Sequence, residues 1–384
     1  MNATFKHHKL SLIEPDFNSN LIDLIIELDY LRKKTLEGTT HPTVFFQLKK
    51  IFHMLESIGS ARLEGNRTTV AEYIEKKIEN EQLVDEKDTE IENIEKAMAF
   101  IDKHVESSTI DRAFISELHK QVVKSLTPPT KGEGSHTPGQ YRKTNLIITG
   151  SEHLPPENIQ IMEYMNELID FMNRKDPPKF DLLKTAITHH RFTWIHPFDN
   201  GNGRCVRLIT YAMLVKLGFN VNVGRILNPT AIFCINRDQY NEALSWADMG
   251  TKDGILKWSE YVLSGLKNEI VKIDKLLDYN YLKEKILLPS IAFSLEREII
   301  TKLESKILRI AIEKQVFMSS DIAHLMPGKV YTQRSRVLRN LKKKKMIAPE
   351  TSKSKKYTLR FDNNYLLRGI IKMLEKEGFI SISD

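Results

Sequence analysis

The sequence predicts a mainly helical protein with one short β-hairpin inserted in it and a separate basic module at its C-terminal end. Three observations predict this. Apolar residues recur at spacings of three and four in one stretch after another, which is the period of a helix with one buried face. Alternating runs of strand type are few and short. Charge is segregated: residues 301–360 hold sixteen Lys/Arg against four Asp/Glu, a balance of +12, whereas the whole chain carries +7, so the remainder is net −5. Such segregation marks a module that meets an anionic partner.

Taken in order, Phe45, Leu48, Phe52, Leu55 and Ile58 lay out a helix from about 44 to 65, and Gly65-Asn66 supplies its stop. Thr69 and Glu72 form a capping box for the next helix. Helical stretches follow near 89–105, 110–125, 157–173 and 180–193. The Pro-, Gly- and Ser-rich run from Leu126 to Pro138 reads as loop. Asn145-Leu-Ile-Ile-Thr149 with Gly150 reads as a short β-hairpin. Helices resume over about 205–217 and 238–244, and a long segment around 254–286 leads to the basic module. There a helix at 301–314, a short helix after Ser319-Ser320-Asp321, a third from Thr332 to Lys345, and two β-like runs, 346–349 and 356–361, resemble a winged helix-turn-helix. The division expected is 1–105, a helical region containing the 44–65 helix; 106–265, a core; 266–300, a helical linker; and 301–384, the winged module.

Composition excludes several classes. At 384 residues, 41% hydrophobic and 28% charged, the chain is of globular type. It holds no apolar run of membrane-spanning length, and its first residues lack an apolar signal core. Two cysteines, Cys205 and Cys234, can build neither a disulfide framework nor a cysteine-rich zinc site, which fits a reducing, cytoplasmic setting.

The densest chemical signal is His196-Pro-Phe-Asp-Asn-Gly-Asn-Gly-Arg-Cys-Val-Arg207. Gly201, Asn202 and Gly203 let backbone N–H groups converge, and a helical pattern starts directly after them, so the run opens a helix N-terminus suited to phosphate. Arg204 and Arg207 in that first turn oppose the helix dipole unless an anion compensates them. A polyphosphate does so, because arginine grips phosphate bidentately. His196, just upstream, is placed to serve as a general base. His189 and His190 point to different helix faces, so shared metal ligation with His196 is poor. Ser60 and Glu64 stand at i and i+4 and share a helix face. Glu64 at a helix C-terminal end is disfavoured by the dipole, and a cation from elsewhere would relieve it; Arg207, misplaced at a helix start, is the candidate.

The run from His196 to Arg207 resembles the Fic family signature, H-P-F-x-D/E-G-N-G-R-x-x-R, over a region of roughly 40–265. Gly139-Gln-Tyr-Arg142 and the segment after it are similar to the family's upstream flap. The resemblance implies a helical bundle enzyme that transfers AMP from ATP to a Ser, Thr or Tyr hydroxyl of a target protein. It implies that His196 deprotonates that hydroxyl and Phe198 anchors the loop. Gly201, Asn202 and Gly203 would cradle the α- and β-phosphates, Arg204 would steady the leaving pyrophosphate, and Arg207 would reach the γ-phosphate. Tyr240 and Asn241 would lie by the adenosine, and the flap at 145–153 would hold target backbone by strand addition. Ser60-x-x-x-Glu64-Gly65 is similar to the family's inhibitory pattern. The chain departs at Asn200, where the family has an acid that binds Mg²⁺; Asn offers a neutral carbonyl oxygen instead.

The function expected is therefore an auto-inhibited protein adenylyltransferase. The alternatives are a nucleic-acid-binding regulator with a degenerate nucleotide-sensing site, or removal of AMP by the same site with Glu64 positioning water. The expected partners are a hydroxyl-bearing target protein, with nucleic acid or an acidic protein surface at 301–361 and no membrane. The sequence leaves a homodimer open.

Overall fold

A computed structural model describes residues 4–33, 40–79, 85–148, 151–219, 231–234, 236–351 and 354–380. Its helices, in chain order, are α1 (Asn20–Lys33), α2 (Pro42–Leu63), α3 (Val70–Glu79), α4 (Glu86–His104), α5 (Arg112–Val122), α6 (Ile161–Asn173), α7 (Asp181–Ile195) and α8 (Asn202–Lys216). Then come α9 (Ala231–Cys234), α10 (Arg237–Ala247), α11 (Lys252–Asp274), α12 (Tyr279–Tyr281), α13 (Leu288–Glu296), α14 (Lys302–Lys314), α15 (Tyr331–Lys343) and α16 (Leu366–Lys376). Three strands complete the list: β1 (Val316–Phe317), β2 (Ile347–Pro349) and β3 (Tyr357–Leu359). No helix among the described residues is long and apolar enough to cross a membrane.

The chain packs as two units. The first takes in 1–35, 56–68 and 83–271, the second 36–55, 69–82 and 272–384. In the first, α7 and α8 pack on each other, α6 lies against α7, and α4 and α5 lie against α8. Almost every side chain of α7 and α8 is buried, which explains why neither helix shows a clean polar face in sequence. Side-chain caps set the surrounding helix starts: Asp85 accepts from the Lys87 N–H, Asp111 from Phe114, and Asn236 from Gln239. The C-terminal end of α2 closes as the sequence predicts. Gly65 takes φ +107°, its N–H reaches the Arg62 carbonyl, and the Asn66 N–H reaches that of Ala61, a Schellman closure.

The second unit contains the capping box predicted at α3: the Glu72 N–H donates to Thr69 Oγ1 (3.1 Å) and the Thr69 N–H to Glu72 Oε2 (2.8 Å). Thr301 and Glu304 make the same box at α14. The strands form an antiparallel sheet in the order β1-β3-β2, with β3 in the middle, so that Tyr357 faces Phe317 on one side and Pro349 on the other. Leu338 and Leu341 of α15 are buried in this unit, as are Met346, Ile347 and Phe361.

Two sequence expectations are corrected. No β-hairpin forms over the described part of 145–153 (Thr149 and Gly150 lie outside the described residues). At its start the Asn158 N–H donates to Asn145 Oδ1 and Asn158 Nδ2 to the Lys143 carbonyl. With no second alternating run to pair with, Leu146 to Ile148 have no ladder to join. Strand pairing there is a single parallel bridge between Thr4 and His153. The short helix expected up to Met326 is only a turn and one 3₁₀ turn, Ala323–Leu325. Its cap is diverted, because Asp321 accepts from the Met318 N–H and pairs with Lys314.

Candidate active site

Helix α7 ends on a strained residue. His196 caps it in the left-handed region (φ 50°, ψ 61°) while its N–H still reaches the Phe192 carbonyl. A β-carbon makes that conformation costly by about 1–2 kcal/mol, so neighbours must hold it. Arg142 does. Its Nε donates to the His196 carbonyl (2.9 Å), its Nη1 to Thr144 O (2.7 Å) and its Nη2 to Pro156 O (2.6 Å). Burial, with the Arg142 charge adding to it, pulls the His196 imidazole down to about 4, so it is neutral at physiological pH and able to accept a proton.

The loop after His196 is fastened from three sides. Phe198 is fully buried and stacks on His119, ring centroids 3.8 Å apart and planes within 2°. His119 receives the Gly139 N–H at Nδ1 (2.7 Å) and therefore donates from Nε2 to the Asn200 carbonyl (3.0 Å). Burial lowers its pKa to about 4 and keeps that tautomer neutral. Asn202 closes the loop: its Oδ1 accepts from the Phe198 N–H and its Nδ2 donates to the Phe198 carbonyl, both at 2.9 Å. The Asn202 side chain is thus committed to the loop, which leaves the backbone N–H groups as the phosphate-facing donors. Gly201 takes φ +74° ahead of α8. At Gly203 a β-carbon would overlap the Glu64 carboxylate and meet Arg207 Nη1 at 3.0 Å, so a side chain there would have to push Glu64 aside.

Both arginines of α8 are buried and held by acids. Arg207 donates from Nε to Ser60 Oγ (2.8 Å) and from Nη2 to Ser60 O (3.0 Å) and Glu64 Oε1 (2.6 Å). The structure brings together the three residues that the helix-face argument had joined. Burial alone would raise the Glu64 carboxyl, but Arg207, supported by Arg204, outweighs it and holds the group below the ordinary carboxylate value. Arg204 is fully buried. Its Nη1 lies 2.9 Å from Glu90 Oε1 but off the hydrogen-bonding axis, and its Nη2 donates to Glu133 O (2.8 Å) and lies 3.3 Å from Glu133 Oε2. Glu90 is itself buried, receives Asn66 Nδ2 at Oε2 (2.9 Å), and is pushed up by that burial despite Arg204.

Around Asn200 the polar groups are engaged by neighbouring residues of the chain. Asn200 Oδ1 accepts from the Gly201 N–H (2.7 Å), and its amide nitrogen, not its oxygen, faces Glu133 Oε2 at 3.3 Å. Asp199 does not compensate, since Ser135 Oγ and the His136 N–H occupy its two oxygens (2.5 and 2.8 Å). Among the described residues no group of three His, Cys, Asp or Glu is placed to hold a metal.

A cleft of about 650 Å³ joins Glu64, His196, Gly203, Arg207, Tyr240 and Asn241. The Tyr240 hydroxyl meets His189 Nε2 at 2.8 Å. His189 Nδ1 donates to Thr210 Oγ1, whose own proton goes to the Val206 carbonyl, so Nε2 is the acceptor and Tyr240 the donor. His190 turns to Asp248 (2.9 Å), so the two histidines serve different partners. Thr4 lines the cleft too; its N–H donates to Glu152 O, and the Leu154 N–H donates to its carbonyl. His119, Glu90, Glu133 and Arg142 have no role in the sequence reading. Each has partners distant in sequence, and only Arg142 lies within the Gly139–Arg142 run.

Residues 109–214 match the model of the Fic/DOC family. The chain is 30% identical over 166 residues to a protein adenylyltransferase Fic of Nematostella vectensis, covering 42% of this chain and 34% of that one. It is 28% identical over 207 residues to a protein of the same name from Aedes aegypti, covering 52% and 37%. The chain thus spans little more than a third of these relatives' length. Its fold is shared with a Fic family protein from Desulfovibrio desulfuricans G20, at 17% identity and TM-score 0.56, over 91% of this chain and 98% of that one. It is shared also with a Fic domain containing signaling protein from Bacteroides thetaiotaomicron, at 18% identity and TM-score 0.52, over 66% and 96%.

Proposed function

We propose, from the match of residues 109–214 to the Fic/DOC family, that the chain is a protein adenylyltransferase held in check by its own α2. A target Ser, Thr or Tyr hydroxyl attacks the α-phosphorus of ATP. His196 takes its proton, the bond from the α-phosphorus to the bridging oxygen breaks, and pyrophosphate leaves. The observation that carries the reading is that a neutral His196, Gly203 in the first turn of α8, and Arg207 face one cleft. Backbone N–H groups at Gly201 to Gly203 would hold the α- and β-phosphates, Arg204 would steady the departing pyrophosphate, and Arg207 would take the γ-phosphate. Tyr240, braced by His189, and Asn241 would wall the adenosine side. Mg²⁺ would come with the nucleotide, carried mainly by phosphate and water, since Asn200 Oδ1 is neutral and already accepts the Gly201 N–H.

Auto-inhibition follows from the Arg207–Glu64 pair. While Glu64 holds the guanidinium, the γ-phosphate has no anchor and the α-phosphorus is misaligned with the incoming oxygen; a 1 Å misplacement can cost about 10²-fold. We read the chain functionally as an inhibitory N-terminal region (1–105), a catalytic core (106–265), a linker (266–300) and a winged-helix module (301–384), acting in a reducing, cytoplasmic setting. The test is labelling of lysate and of the chain itself with α-³²P-ATP and γ-³²P-ATP. Label from α alone, lost in His196→Ala, supports AMP transfer. Label from γ alone means kinase chemistry, and no label from either, with nucleotide still bound, means a sensor.

A further inference from the structure

We propose that the exposed face of α15 binds duplex DNA, with the helix lying in the major groove. No acidic residue occurs between Ile322 and Pro349, a stretch that contains all of α15. Leu338 and Leu341 face inward. On the outer face Thr332, Arg336, Arg339 and Lys343 recur at i, i+4, i+7 and i+11, all exposed, with Gln333 and Asn340 exposed beside them.

Ion pairing does not account for this face. Elsewhere in the same unit cations find acids: Lys314 pairs with Asp321 and Lys344 with Glu304, both at 2.6 Å, and Lys283 with Glu313 at 3.3 Å. Among the described residues no carboxylate lies within ion-pair distance of Arg336, Arg339, Lys342 or Lys343. Like charges three and four apart on a helix are unfavourable by a few tenths of a kcal/mol each, so the cluster stands at a cost until an anion covers it.

The residue types narrow the anion. A docking site for an acidic protein needs charge alone, whereas Arg, Asn, Gln and Thr are the side chains that read base edges. A 13-residue helix is about 20 Å long and 10–12 Å across, which suits a major groove about 12 Å wide. Lys355 and Lys356, exposed in the turn before β3, are placed to meet phosphate. The deep, narrow major groove of duplex RNA would not admit the helix.

The test uses the full chain and a fluorescent 25-base-pair DNA duplex of mixed sequence, read by anisotropy from 50 to 200 mM salt. Four phosphate contacts give a slope of about −3.6 in log K against log salt, or about 10² in affinity across that range. Arg336→Glu with Arg339→Glu should weaken binding tenfold or more at 50 mM, through lost contacts and like-charge repulsion. Lys306→Glu with Arg309→Glu, the same charge change on the exposed side of α14, should weaken it far less. If the reversal melts the unit, Arg336→Gln with Arg339→Gln replaces it. Absence of binding at 50 mM overturns the proposal. So does equal loss from the α14 pair, equal competition by polyglutamate, or tighter binding of duplex RNA.

Discussion

Replacing Glu64 by glycine should speed AMP transfer and at the same time loosen the unliganded protein. Arg207 is almost wholly buried, and the bond it gives the Glu64 carboxylate is short, at 2.6 Å. A hydrogen bond to a charged group contributes about 1.5–3 kcal/mol. If that bond must break before Arg207 reaches the γ-phosphate, its free energy handicaps the wild type by about 10- to 150-fold, at one decade per 1.36 kcal/mol. The same change strips a buried guanidinium of its carboxylate. Breaking a buried pair costs about 3–5 kcal/mol, and here the loss falls toward the lower end because Glu64 is 26% exposed and both Ser60 contacts remain. The variant should therefore melt below the wild type when empty and gain more than the wild type from ATP. Initial rates of α-³²P incorporation and denaturation with and without ATP measure both effects. Glu64→Gln, which keeps the shape without the charge, should fall between. Equal labelling by wild type and Glu64→Gly, with His196→Ala silent, would refute the lock and leave Glu64 an ordinary residue at a helix end.

His196→Ala should abolish labelling while leaving the denaturation midpoint near the wild-type value, since alanine keeps the β-carbon and with it the same left-handed strain; a labelled, folded variant would remove His196 from the chemistry. Transfer by Glu64→Gly should persist well below pH 6.5, because the folded His196 takes a proton only near pH 4; an acid limb near 6.5 in a pH–rate profile would contradict this. His119 is also held near 4, so the unfolded chain protonates before the folded one. Stability should fall as pH drops from 6.5 toward 4, with up to about 1.4 kcal/mol per pH unit from this residue, and His119→Leu should flatten that slope in urea titrations at stepped pH. Asn202→Ala should cost about 1–3 kcal/mol by leaving the buried Phe198 N–H unpaired, and should lower nucleotide affinity in a direct binding assay.

Much of this was legible because it was local. The α2 helix, its glycine stop and the shared face of Ser60 and Glu64 follow from short-range spacing, and so does the glycine loop opening α8. The partner of Glu64 could be argued from two misplaced charges, one at a helix end and one at a helix start. What stayed hidden depends on distant contacts. Nothing near His119 signals that its ring will stack on Phe198, and nothing near Glu90 or Glu133 signals that both will close on Arg204. Alternation over 145–148 predicts a strand, but a strand also needs a partner, and none lies beside this run among the described residues.

The fastening of the His196–Gly203 loop has a calorimetric corollary. The Phe198 stack and the Asn202 and His119 hydrogen bonds are made entirely by the chain's own groups, so the loop has little left to order when ATP arrives. Binding should carry a heat-capacity change no larger than the apolar surface the adenine covers would give, with no added component from folding of the loop. Arg207 must exchange one carboxylate for phosphate. The binding enthalpies of wild type and Glu64→Gly should then differ by the broken ion pair while their heat-capacity changes coincide.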